Sequence, residues 1–147
     1  MTFLLDNDLP PRIAEILRIM GHDVHHLRER FPADALDVDW IPAAGREGWV
    51  IVTADTRIRR NAAERLALRQ ARTPAVFISA AVSDYPLHLK VSWFIKHWPD
   101  LEAAVSKARP MTVFDMQANG KVKEVCLPPR KRTKRTSQDR QSGDPSR

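Results

Sequence analysis

Apolar residues along this chain follow two rhythms. The runs Phe3-Leu4-Leu5, Trp49-Val50-Ile51-Val52-Thr53 and Ala75-Val76-Phe77-Ile78 are apolar at nearly every position. That is the mark of short strands buried on both faces, as in a parallel sheet. Between them the period becomes helical. Residues 9–20 place Ile13, Ile16, Leu17 and Met20 on one face, with Pro10 and Pro11 tolerated in the first turn and Gly21 as a stop. Residues 22–27 read as a second strand and 28–36 as a loop containing Pro32. Asp37 then reads as the cap of a helix that ends at Gly48, with Pro42 uncomfortable inside it. A helix is predicted over 60–72 with Ala63, Leu66 and Ala67 on one face. Another, rich in aromatics, covers 85–98 and is stopped by Pro99, and a further one starts at Asp100. Two last strands, within 111–116 and 121–125, flank Asn119-Gly120, a strong hairpin signal.

Alternating strands and helices up to residue 80 predict an α/β fold: a mostly parallel sheet with helices on both faces. The hairpin at 111–126 is then an accessory edge to a core at about 2–108, and 1–127 form one domain. Composition changes this picture only at the end of the chain. Of a net charge of +6, residues 129–147 carry +5 (seven Lys or Arg against two Asp), which leaves the rest nearly neutral. Residues 128–147 bury no apolar area and read as a disordered basic tail, able to hold phosphate backbones without sequence preference or simply to aid solubility. No apolar run reaches the roughly 20 residues of a membrane helix. No basic, cleavable leader precedes the first strand, and a cytoplasmic location is the expectation. The single cysteine, Cys126, excludes an internal disulfide or a cysteine metal cluster.

The acidic residues carry the candidate chemistry. Asp6 and Asp8 follow the first apolar run, Asp55 follows the third, and Asp37 and Asp39 open a helix between them. In an open parallel sheet the carboxyl ends of the strands line the crevice that binds ligands. If strands one and three are neighbours, Asp6 and Asp55 face each other there, and the helix at Asp37 can lean over the same mouth. Gathered carboxylates repel unless protons or a cation neutralise them. Hard oxygen donors suit Mg²⁺ or Mn²⁺, one ion or two. Each acid also has a local reading: Asp37 as an N-cap, Asp8 as the cap of the helix starting at Leu9, Asp39 favouring a helix dipole, and Asp55 in an ordinary turn. Taken together at matching strand ends, Asp6, Asp37, Asp39 and Asp55 read as a metal site for phosphate chemistry.

The stretch Phe3-Leu4-Leu5-Asp6-Asn7-Asp8-Leu9-Pro10-Pro11, then Gly21-His22-Asp23-Val24, resembles the opening of the PIN-like nuclease domains. Asp37-Val38-Asp39-Trp40 and Glu47-Gly48-Trp49-Val50-Ile51-Val52-Thr53-Ala54-Asp55 look like their middle and third acidic motifs. Residues 57–64 are similar to the segment after the third motif in the subgroup related to VapC-type toxins. Over residues 2–105 the resemblance implies a three-layer PIN-like domain. It also implies a Mg²⁺- or Mn²⁺-dependent ribonuclease, the toxin of a toxin–antitoxin pair with a protein antitoxin as partner. Asp6, Asp37, Asp39 and Asp55 match the acidic positions. The further acid that many such domains carry near the end of a later strand is missing from Phe77-Ile78-Ser79-Ala80, and Asp84 is only a distant candidate.

Arg57, Arg59 and Arg60 follow Asp55, and Arg57 and Arg60 in particular are candidates to hold substrate phosphate, since guanidinium forks match phosphate oxygens. His22, His25 and His26 alternate along a strand and read as surface or loop residues in preference to zinc ligands. Trp93, Phe94 and Trp98 at helical spacing read as core or interface. Two other functions stay open: a receiver-like signalling domain phosphorylated on Asp55 with Ser79 nearby, and a catalytically inactive RNA-binding module. A homodimer is equally left open.

Overall fold

The computed structural model describes residues 1–127, and the tail expected at 128–147 lies outside the described residues. Six strands form one sheet: β1 (Phe3–Leu5), β2 (Val24–His26), β3 (Val50–Thr53), β4 (Ala75–Ile78), β5 (Val113–Met116) and β6 (Val122–Val125). Their order is β2-β1-β3-β4-β5-β6, with every pair parallel except β5 and β6. The hairpin is therefore less accessory than its sequence suggests. Its first strand is the fifth parallel strand, and only β6 runs back along the edge.

Alternation along each strand feeds two cores. Phe3, Leu5, Val50, Val52, Val76 and Ile78 face one side, where they meet α1 (Pro11–Ile19) and α7 (Leu87–Ser106). Leu4, Ile51, Ala75, Phe77 and Val113 face the other, against α3 (Asp37–Glu47) and α5 (Ala62–Ala71). α3 lies so close on α5 that a side chain at Gly45 would run into the Ala71 backbone. Trp98 of α7 meets Phe3 edge-on, ring centroids 4.9 Å apart. Among the described residues no helix is long and apolar enough to cross a membrane.

Several local expectations are corrected. Pro99 does not divide the aromatic helix: α7 runs unbroken through it. The carbonyl it leaves unpaired belongs to Ile95, on the solvent side, where water can take the bond. The buried face, Trp93, Phe94, Trp98, Leu101 and Val105, continues across the proline and holds the two halves in line. Pro42 is carried by α3 in the same way, since Val38, four residues earlier, is exposed. Residues 60–72 are two helices, α4 (Arg57–Arg60) and α5, because Asn61 caps the second by accepting from the Ala63 and Glu64 amides. The buried face of α5 is Ala67, Leu68 and Ala71, and Leu66 is exposed. Two short helices fall where none is predicted. α2 (Leu27–Arg30) is capped by the His26 ring, and α6 (Ala80–Ser83) by Ser79.

Candidate active site

β1 and β3 are neighbours, and on either side of them the sheet order turns in opposite directions, so the crevice of the fold opens past their carboxyl ends. Asp6 ends β1. Its amide donates to Val52 O (2.9 Å), which extends the strand pairing by one residue and fixes where the carboxylate starts. Asp6 is buried. Oδ2 accepts from Thr53 Oγ1 at 2.8 Å, and Oδ1 from the Asn7 amide at 2.6 Å. The same Thr53 hydroxyl oxygen accepts from the Asp55 amide at 3.0 Å. One buried hydroxyl thus ties the Asp6 carboxylate to the backbone of Asp55, past the ends of β1 and β3.

Asp8 does not cap α1, which has no side-chain cap. It reaches across to β3 instead, and its Oδ2 accepts from the Ala54 amide at 2.9 Å. Asp37 is no N-cap either, since Leu36 holds that position. Asp37 stands at the first helical position, where its Oδ1 accepts from Trp40 Nε1 at 2.8 Å. Two residues along a helix is about 200° of rotation, so Asp39 points away from Asp37. Asp39 is exposed, and its carboxylate makes no hydrogen bond or ion pair among the described residues, although its amide donates to Leu36 O at 2.9 Å. Asp55 is gripped by Arg57, whose Nε and Nη2 donate to Oδ1 and Oδ2 at 2.9 and 3.0 Å. Arg57 and Arg60 are both exposed at the rim.

The electrostatics bind these residues into one group. Burial pushes the Asp6 carboxyl up; the Thr53 and Asn7 hydrogen bonds hold it back, and the Asp37 and Asp55 charges raise it further. Loss of hydration, then the Asp6 and Asp55 charges, push Asp8 up to about 7. The residue surface of Asp8 is exposed, so solvent screens part of that repulsion. Glu64, from the first turn of α5, is raised by desolvation, by the Asp37 charge and by a hydrogen bond with Asp37. Asp55 alone is lowered, chiefly by its hydrogen bond from Arg57. Of the four acids expected at the site, Asp6, Asp37 and Asp55 are brought together and Asp39 is not. Asp8, Glu64 and Thr53 join them. Glu64 stands in a stretch already similar to the family pattern, and the spacing of Asp8 from Asp6 could have suggested it, but Thr53 left no signal beyond its place at the end of a strand.

The donor set suits a hard cation: it is made of carboxylate oxygens, and beside it the Asn7 Oδ1 is buried with no hydrogen-bond partner. The carboxylates are not drawn into a finished cage, and among the described residues no three His, Cys, Asp or Glu side chains are grouped closely enough to hold an ion. The reason is visible in their partners. Asp55 is turned to Arg57 and Asp37 to Trp40. The Arg57 pair is exposed, and exposed pairs are weak, so a doubly charged ion can draw Asp55 away.

His22, His25 and His26 are engaged away from the acids of the cleft. His26, expected at the surface, is buried. Its Nε2 lies 2.6 Å from Leu9 O and donates to it, because Nδ1 already accepts from the Arg28 amide at 3.1 Å. His22 pairs with Glu102 and His25 with Asp23. The acid sought after β4 is absent there, and Asp84 is exposed at the end of α6. One strand further on, Asp115 of β5 stands in register with Phe77.

A family model described as a PIN-like domain matches residues 1–80, more than half of the chain. No curated protein and no solved structure matches it.

Proposed function

The chain belongs to the PIN-like domain family, and on that basis we propose that it hydrolyses RNA phosphodiester bonds with the help of Mg²⁺ or Mn²⁺. The fold is of a nuclease type, PIN-like domains usually use divalent metals, and nucleic acid is the substrate class this implies. The observation that carries the reading is the gathering of Asp6, Asp8, Asp37, Asp55 and Glu64 at the switch point of the sheet, three of them (Asp6, Asp8 and Glu64) repelled by the charge of Asp55 or Asp37.

Asp6, Asp37 and Asp55 would hold the cation, with Asp8 and Glu64 beside them; the geometry favours Asp37 over Asp39. A cation bound there supplies a more acidic water and neutralises charge that builds on the phosphodiester. The chain's own residues do the rest. Thr53 ties the Asp6 carboxylate to the backbone of Asp55. Asp8, whose carboxyl is raised in the metal-free protein by burial and by the Asp6 and Asp55 charges, would stand ionised beside a bound cation and could accept a proton there. Arg57 and Arg60 offer guanidinium groups to the phosphate, and a swing of Arg57 toward substrate frees Asp55 in the same movement.

The finer reading is a cytoplasmic VapC-like toxin restrained by a cognate protein antitoxin. It is supported by the likeness of the acidic motifs and of residues 57–64. A receiver-like phosphorylation of Asp55 has less support, because β5, the fifth parallel strand, ends in Asp115-Met116 and is followed by Gln117, without the lysine such a domain requires. Trp93, Phe94 and Trp98, read from the sequence as core or interface, are core residues, so these three rings offer no docking surface to an antitoxin.

The test is purified protein with labelled RNA, assayed with Mg²⁺, with Mn²⁺ and with chelator. Cleavage should need the ion, and Asp6→Asn and Asp55→Asn should each abolish it while the fold persists. Full activity in either variant, or in chelator, would overturn the proposal. Expression of the wild type should slow growth and Asp6→Asn should not; arrest that persists in the variant would rule out toxicity by cleavage.

A further inference from the structure

Beside the carboxylate cleft, between the ends of β4 and β5, the same edge of the sheet opens into a cavity of about 230 Å³. Thr56, Arg59, Phe77, Ser79, Asp115 and Gln117 contribute to its lining. An arginine at a surface ordinarily turns freely, but Arg59 is held on two sides. Its guanidinium carbon lies 4.7 Å from the centroid of the Phe77 ring, and Nη1 donates to Asp115 Oδ1 at 2.6 Å. Asp115 is in turn placed by the β4–β5 register opposite Phe77. The result is a flat cationic plane, oriented before any ligand arrives and already neutralised by its carboxylate. Gln117 is fixed by its backbone, N to Lys121 O at 2.8 Å, while its side-chain amide makes no hydrogen bond among the described residues.

We infer that this cavity is a subsite for one unpaired nucleobase bearing an exocyclic amino group, in the nucleotide next to the phosphate held at the carboxylate cleft. The inference rests on the nuclease reading for the class of ligand, and the cavity supplies the rest. Unpaired bases are bound by stacking on aromatic rings and on arginine planes, and by hydrogen bonds to their edges. Phosphate is the poorer occupant, because the one arginine in the lining already carries its counter-charge. A carboxylate can only accept, so Asp115 favours the amino groups of adenine, cytosine or guanine; the Gln117 amide both gives and accepts. Uracil presents carbonyl oxygens on both sides of its single N–H and would set oxygen against oxygen. Thr56 lines the cavity and directly follows Asp55, so a base here and a phosphate in the cleft fall on adjacent nucleotides of one strand.

The test measures binding of short labelled oligoadenylate, oligocytidylate and oligouridylate to the full chain in chelator, where no cleavage is expected. Oligoadenylate or oligocytidylate should bind about tenfold more tightly than oligouridylate. Gln117→Ala should erase most of that preference while leaving oligouridylate binding unchanged; Asp115→Asn should erase it too, while the Arg59 charge it frees tightens binding of all three oligomers alike. If Asp115→Asn melts early, Gln117→Ala decides the matter, since its side chain supports no other group. Equal binding of the three oligomers, or a preference untouched by Gln117→Ala, would overturn the subsite and leave metal-dependent cleavage unaffected. A preference that both variants remove, in a protein that cleaves no RNA with Mg²⁺ or Mn²⁺, would establish the subsite and overturn the nuclease reading.

Discussion

Thr53→Val should damage the cleft without damaging the strand. Valine matches threonine in shape and suits a β position, so the fully buried site at the end of β3 stays filled. What disappears is one hydroxyl that donates to Asp6 and accepts from the Asp55 amide. A hydrogen bond to an ionised partner contributes about 1.5–3 kcal/mol and an ordinary one about 0.5–1.5 kcal/mol. The Asp55 amide is only partly buried, and water can take over some of its loss. A destabilisation of about 2–3 kcal/mol is expected, or roughly 6–15 °C in Tm for a domain of this size. The sign of the pH dependence comes from Asp6. Its carboxyl is already raised in the folded protein, so the wild type loses stability as pH climbs above the unfolded value of 3.8. Removing a hydrogen bond that holds the carboxyl down raises it further and enlarges that loss. Urea unfolding in chelator should therefore show a larger penalty at about pH 8 than at about pH 4.5. A penalty below about 0.5 kcal/mol, or one equal at both pH values, would refute the role given to this hydroxyl.

Asp8→Asn should stabilise the metal-free protein. Its carboxyl rises to about 7 on folding, so the gain should appear as pH passes from 3.8 toward 7, level off above, and be absent in acid; a flat difference in Tm across that range would count against carboxylate repulsion. Pro99→Ala should raise Tm, because an interior helix proline costs up to about 3 kcal/mol and α7 is helical on both sides of it; a lower Tm would mean that the ring packs against something the helix needs. Removing residues 130–147 should weaken salt-sensitive RNA binding and spare turnover at saturating RNA, measured by a salt titration alongside the cleavage assay; lost turnover with normal binding would show that the basic tail serves the chemistry.

The strands ending in Asp6 and Asp55 were legible because residues buried on both faces leave an uninterrupted apolar run, and the runs at 3–5, 50–53 and 75–78 match β1, β3 and β4. Their adjacency was a conditional inference that parallel pairing of Phe3 with Val50 satisfies. What stayed hidden depends on partners distant in sequence. Asp8 has the look of a helix cap, yet the amide it meets belongs to Ala54. Asp37 has the look of a cap too, but a buried indole one turn on competes for its oxygen. His26 is polar by composition and buried in fact, because two backbone groups, from residues 9 and 28, satisfy both of its nitrogens. Proline is read as a helix stop from its own geometry, whereas the outcome at Pro99 was decided by the apolar face on either side of it.

The contact between Phe3 and Trp98 joins residues 95 positions apart, and it has a consequence in time. Synthesis proceeds from the N-terminus, and Asp6, Asp8, Asp37, Asp55 and Glu64 are all made before the helix that covers the back of β1. Until residues 87–106 emerge, that face of the sheet has α1 but no aromatic wall, and strand pairing across long loops is slow to pay back its closure entropy. A nascent chain thus carries the acids of the cleft, and the partners that hold them, well before it can bury the back of β1. The delay is a property of chain order alone: the back of β1 gains its aromatic wall only after residues 87–106 have left the site of synthesis.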